Sequence, residues 1–102
     1  MPAYMISQVT VTNQEKFQSY LAQTQVIAAK FGAKPVAIGA RANMLNGDDD
    51  GHQMVFVIEF PTMEQLDAWH HSDEYKAIVA LRDEGSIQRM VAYEAQAIPQ
   101  RS

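Results

Sequence analysis

The chain has 102 residues, 47% of them hydrophobic, and a formal net charge of −4. That length suits a single domain burying roughly two-thirds of its unfolded surface, and the composition excludes a disordered chain. The eight Lys and Arg residues are scattered rather than clustered, which excludes the basic stripe that a nucleic-acid partner requires. No cysteine is present, so disulfides, thiolate catalysis and thiolate metal sites are excluded as well.

Tyr4 to Val11 reads as a strand rich in β-branched residues. Thr12 or Asn13 can cap the helix that follows, and Thr12-x-x-Glu15 matches a capping box. Phe17, Tyr20, Leu21, Thr24, Ile27, Ala28 and Phe31 recur at helical spacing and predict one apolar face, with Gly32 just past the helix. Pro35 to Ala40 predicts a second strand with Val36, Ile38 and Ala40 on one side, and Asn46 to Gly51 a loop. Met54 to Ile58 is apolar on both alternating faces and predicts a strand covered on both sides. It is also the densest apolar run and far too short to span a bilayer. With no basic-then-apolar leader in Met1-Pro2-Ala3-Tyr4, a cytoplasmic protein without a membrane partner is expected.

Pro61-Thr62 ends that strand, and Thr62-x-x-Gln65 opens a helix through Leu66 and Trp69. Ser72 is a fresh N-cap for a further helix through Leu81, with Asp73 and Glu74 suited to its first turn and Gly85 as its stop. Ile87 to Ala97 predicts the last strand. The order β-α-β-β-α-β predicts an α+β, ferredoxin-like domain over residues 1–97, with a four-stranded antiparallel sheet and a tail at 98–102. Helices cover one face of such a sheet. The two-sided apolar character of Met54 to Ile58 asks for a second cover, and a second copy in a homodimer joined through the sheet faces is the simplest one.

Ala3-Tyr4, Gly39, Glu59-Phe60-Pro61, Ala68-Trp69, Ser72, Glu74-Tyr75 and Leu81-Arg82 together resemble the DUF1330 family, a branch of the dimeric α/β-barrel superfamily. The resemblance runs from Ala3 to about Ala95. It implies a homodimer with facing sheets and a small pocket in each subunit between sheet and helices; it supplies no reaction. His70 stands where the family usually has Tyr. Gly39-Ala40 replaces a Gly-Gly pair, and Asn43 and Asn46 replace acidic residues.

His70, Glu74 and Arg82 are the catalytic candidates. Arg82 offers a planar fork of donors for a carboxylate or enolate, or else pairs with Glu74 or Asp83. Glu74 or His70 would move a proton, His70 because imidazole titrates near neutrality. Tyr4, Gly39, Trp69, Ser72 and Tyr75 are the substrate-binding candidates, the aromatic ones as pocket walls and Ser72 as a cap with an adjacent anion site. Nucleophilic catalysis by Ser72 is not expected, since no Gly-x-Ser-x-Gly elbow surrounds it. His70 and His71 are adjacent and diverge on a helix, so no metal site is expected. Asp48-Asp49-Asp50 lacks the ligand spacing of a calcium loop. Haem is not expected either, because Val79 occupies the region where a haem-ligating His would be needed. No cofactor is expected.

Two functions compete on these residues. One is a cofactor-independent enzyme acting on a small organic acid or phenolic substrate, with Arg82 holding an anion. The other is a non-catalytic ligand-binding or structural homodimer.

Overall fold

The computed structural model describes residues 1–98, so the expected tail, after Ile98, lies outside the described residues. The elements are β1 (Ala3–Val11), α1 (Gln14–Ala29), β2 (Lys34–Ala40), β3 (Met54–Phe60), α2 (Met63–His71), α3 (Asp73–Lys76), α4 (Val79–Gly85) and β4 (Ser86–Glu94). The four strands form one antiparallel sheet in the order β2-β3-β1-β4. The architecture is α+β and ferredoxin-like, as the order of elements predicts.

Strand alternation decides which residues reach the helices. Ala3, Met5, Ser7 and Val9 of β1 are buried, and Phe56 and Phe60 of β3 are buried beside them. α1 adds Phe17, Tyr20, Ile27 and Ala28, and the α2–α3 region adds Leu66, Trp69, Tyr75 and Ile78. Each large apolar side chain fully buried in this layer contributes about 1.5–3 kcal/mol. The aromatic members also meet in favourable tilted and edge-on pairs, Phe17–Phe56 at 5.9 Å and Trp69–Tyr75 at 4.6 Å between ring centres.

The opposite face carries Tyr4, Ile6, Val55, Val57 and Val91, and within one chain they are only partly buried. Ile87 and Tyr93 on the same face are 60% and 50% exposed. The two-sided cover expected for Met54 to Ile58 is thus supplied by this chain on one side only. Arg89, also on the open face, donates from Nη1 to Gln8 Oε1 at 3.2 Å.

Several local expectations are refined. Asn13, not Thr12, caps α1: its Oδ1 accepts from Lys16 N at 3.0 Å, so the Thr12–Glu15 box does not form. Gly32 takes φ of +81° just after α1, where a Cβ would also stand 2.7 Å from the ring of Pro61. A register shift between Pro35 and Ala37 takes Val36 out of the pairing, so Val36 does not share the alternation of Ile38 and Ala40. The helix expected from Ser72 through Leu81 breaks at Ala77–Ile78 into α3 and α4. The last strand ends at Glu94 rather than Ala97. Gly85 closes α4 with an ordinary backbone; glycine is needed there because α4 meets the start of α1, where a Cβ would lie 2.6 Å from Phe17 N.

Candidate functional site

A cavity of about 300 Å³ lies between α1 and the helix-facing side of β2 and β3. Leu21 and Ala28 of α1, Ile38 of β2, and Phe56 and Ile58 of β3 supply apolar walls, and Trp69 of α2 closes one side. This volume is at the lower end of the range for small-molecule pockets. Trp69 is placed by α2, whose N-cap Thr62 accepts from Gln65 N at 3.2 Å. Its ring is held between Phe60, at 5.4 Å, and Tyr75, at 4.6 Å.

Trp69 is 2% exposed, yet its indole Nε1 finds no hydrogen-bond acceptor among the described residues. Thr24, a second lining residue, has its Oγ1 buried without a bond of good geometry. Buried donors are ordinarily satisfied, because an unpaired one costs about 1–3 kcal/mol. Both side chains belong to residues of the cavity wall.

Behind Trp69 runs a polar network. The Tyr20 and Tyr75 hydroxyls are 2.8 Å apart, and Arg82 Nη1 donates to Tyr75 Oη at 3.2 Å. The Arg82 guanidinium also lies 5.9 Å from the centre of the Tyr75 ring and donates from Nε to Asp83 Oδ1 at 2.9 Å. Burial, with Tyr75 beside it, pushes the Tyr20 phenol well above its ordinary pKa. For Arg82, burial works against the charge, but the bonds to Asp83 and Tyr75 outweigh it and raise the pKa. Arg82 is therefore a fixed cation inside a satisfied network, and it does not line the cavity.

The sequence candidates separate into four places. Trp69, Tyr75 and Arg82 come together, with Ser72 at the turn below them. Ser72 Oγ donates to Trp69 O at 2.7 Å and accepts from Tyr75 N at 3.1 Å, so it is a cap as expected and also ties the two aromatic residues. Glu74 points the other way, in an exposed ion pair with Lys30 at 2.6 Å rather than with Arg82. Tyr4 and Gly39 sit on the open face of the sheet. Tyr4 donates to Glu59 Oε1 at 3.2 Å, which raises its phenol pKa, and neither residue lines the aromatic cavity. Strand parity is the cause: Tyr4 and Met5 are both compatible with a core, and Met5 is the one that faces the helices.

His70 is at the rim, its ring 5.3 Å from Tyr75 and 5.8 Å from Trp69, beside a cleft of about 130 Å³ shared with Asp67 and Met90. Burial lowers its pKa, and His71 and Arg82 lower it further, while Asp67 opposes them. Because folding lowers this pKa, the unfolded chain binds the proton more tightly. The stability contribution is complete above the ordinary value of 6.5 and declines as pH falls through 6.5 toward the folded value. His70→Gln is expected to flatten that part of the pH–stability curve, measured by urea unfolding across mildly acidic pH; an unaltered slope would assign it to other groups. His71 is tied to its own helix, Nδ1 lying 2.8 Å from Asp67 O, and His52 lies 3.0 Å from Thr10 Oγ1 in the distant loop.

Sequence reading missed the cavity's polar inner wall. Ser7 and Gln88 line a narrower space of about 60 Å³ next to the main one, with Tyr20 beside them. A serine at an inward position of an apolar strand was the available signal.

Among solved structures the fold is similar to RPA0582, a protein of unknown function from Rhodopseudomonas palustris, with a TM-score of 0.79 at 20% identity over 95% of this chain and 84% of that one. It is also similar to SnoaB, a cofactor-independent oxygenase from Streptomyces nogalater, with a TM-score of 0.66 at 15% identity over 97% and 98% of the two chains. A dimeric ferredoxin-like protein of unknown function from Jannaschia sp. CCS1 gives 0.67 at 10% identity over 93% and 100%. No curated protein matches the sequence. No helix among the described residues is long and apolar enough to cross a membrane. The profile of DUF1330, a domain of unknown function, matches residues 2–96, and the chain belongs to that family.

Proposed function

We propose that this protein binds a compact, mainly apolar phenolic or carbonyl compound in the cavity beside Trp69, as a homodimer joined through the open sheet faces. The observation that carries the reading is a mainly apolar cavity of about 300 Å³ walled in part by Trp69, whose buried indole N–H has no partner among the described residues. A ligand acceptor that reaches this donor, such as a carbonyl or phenol oxygen, would satisfy it. An organic acid fits less well than a phenol or ketone, because Arg82 is engaged by Asp83 and Tyr75, and Lys30 by Glu74. The apolar open face, with Ile6, Val57, Val91 and Tyr93, supports the homodimer.

A catalytic use of the same pocket has one specific support. SnoaB, of the same fold, is a cofactor-independent oxygenase, and His70 is kept neutral at the edge of Trp69, in the form that can take a phenolic proton. On that reading His70 is the base, Trp69 orients the substrate, and Arg82 acts through Tyr75.

Trp69 is the single tryptophan of the chain, so intrinsic indole fluorescence reports on this site alone. Titration with small phenols and aryl ketones is expected to shift or quench it saturably. Trp69→Phe, followed by calorimetry, should weaken binding roughly three- to tenfold, the effect of one neutral hydrogen bond, and should lower the melting temperature modestly, since the smaller ring gives up packing against Phe60 and Tyr75. Ala28→Leu should fill the cavity and abolish binding. A folded protein whose fluorescence responds to none of these compounds would overturn the reading.

A further inference from the structure

The cavity and the cleft beside His70 are neighbouring spaces divided by two side chains. Met5 and Trp69 are the residues common to the walls of both. Strand register explains how Met5 comes to stand there. Met5 of β1 pairs with Ile58 of β3 on one flank and with Ala92 of β4 on the other. Ile58 in turn pairs with Pro35 of β2, and residues paired in this way share one face of the sheet. Pro35 and Ile58 belong to the wall of the cavity and not of the cleft, whereas Ala92 belongs to the cleft and not to the cavity. Met5 is thus the one position in this cross-strand row that borders both spaces.

The two dividing side chains differ in freedom. Trp69 is held by three aromatic neighbours, with ring centres at 5.4 Å for Phe60, 4.6 Å for Tyr75 and 5.8 Å for His70. Met5 is buried, but its side chain is unbranched, with three rotatable bonds and a polarizable thioether, and it reshapes at small cost. His70 lines the cleft and not the cavity. A ligand confined to the cavity is therefore kept from the imidazole by Met5 and Trp69.

We infer that Met5 is a specificity-determining residue, a movable partition that ends the cavity for compact ligands and yields to longer aryl ligands, which then extend over Ala92 into the cleft beside His70. The inference rests on the binding function proposed above and adds to it the ligand length at which His70 is first met. A one-ring ketone occupies the cavity alone. A linear two-ring ketone spans both spaces.

The test compares acetophenone with para-phenylacetophenone on the full chain, by calorimetry and by NMR of the histidine ring protons. Loss of one signal in His70→Gln assigns the His70 resonance among the three histidines. Acetophenone is expected to bind and leave that resonance in place. The two-ring ketone is expected to bind and move it, through the ring current of its second ring. Met5→Ala removes the partition, so the two-ring ketone should bind roughly three- to tenfold more tightly than to the wild type, because no side chain is forced off its preferred rotamer. Since Met5→Ala also opens the core and lowers stability, Ala92→Leu provides a variant that removes no core atom. Ala92 is exposed, and a leucine there fills the cleft from β4. The two-ring ketone should then lose roughly tenfold or more in affinity, while acetophenone binds as before. Binding of the two-ring ketone without a response at His70, or an equal response to acetophenone, would overturn the inference and leave the cavity reading in place. So would undiminished two-ring binding by Ala92→Leu, or binding of acetophenone alone by the wild type. Absence of binding by both ketones would overturn the cavity reading as well.

Discussion

Gly85→Ala is expected to cost about 3 kcal/mol or more, at the upper end of what overpacking produces. The new Cβ would stand 2.6 Å from Phe17 N and 3.0 Å from both Lys16 C and Phe17 Cα. All three are backbone atoms, so no side-chain rotation relieves the clash. Gly85 O also accepts from Thr12 N at 2.9 Å and Asn13 N at 3.1 Å, so shifting the end of α4 would break the connection between β1 and α1. Urea midpoints of Gly85→Ala and Gly47→Ala provide the comparison. Gly47 has φ of +92° with nothing within 4 Å of its Cβ position, so its substitution carries only local backbone strain, about 1–3 kcal/mol. Equal midpoints for Gly85→Ala and the wild type would show that the two helices can separate freely. The cavity is lined by α1, so the integrity of this helix pair is a precondition of the binding function proposed above.

The second large effect concerns Arg82. Arg82→Ala removes the donor to Tyr75 Oη, the guanidinium beside the Tyr75 ring and the pairing with Asp83. Asp83 is 62% exposed, so that ion pair contributes little. The loss comes mainly from Tyr75, and an overall destabilisation of about 1–2 kcal/mol is expected. Ligand affinity in the main cavity should be unchanged, because Arg82 does not line it. Thermal unfolding and calorimetry on one preparation separate the two outcomes. Abolished binding at unchanged stability would instead restore the anion-anchor role that the residue type suggests. Combining Arg82→Ala with Tyr75→Phe should give less than the sum of the single effects, since both remove the same bond.

How much of the site could be read beforehand follows from how local each determinant is. Thr62 and Ser72 are legible as caps because a cap depends on a side chain and the backbone three residues on. Trp69 and Tyr75 are legible as buried aromatic residues because both lie on the inward face of their short helices, but only Trp69 lines the cavity, while Tyr75 is core beside it. Glu74 is misleading for a physical reason: an acidic residue in a first turn is favourable whether or not it faces a pocket. Its actual partner, Lys30, is 44 residues away in sequence. Thr24, Ser7 and Gln88 carry no motif and acquire their role only by meeting across α1, β1 and β4.

The amino-acid order by itself determines the element sequence, the ferredoxin-like class, the helix caps, the turn at Gly32 and the presence of Trp69 in a buried aromatic cluster. Each of these depends on hydrophobic periodicity or on contacts within a few residues. Tertiary structure alone decides that Tyr4 and Gly39 face away from the cavity, that Arg82 is satisfied by Tyr75 and Asp83, and that the Trp69 indole N–H is left without a partner among the described residues. Those outcomes depend on strand parity and on hydrogen bonds between residues distant in the chain, which no local pattern encodes.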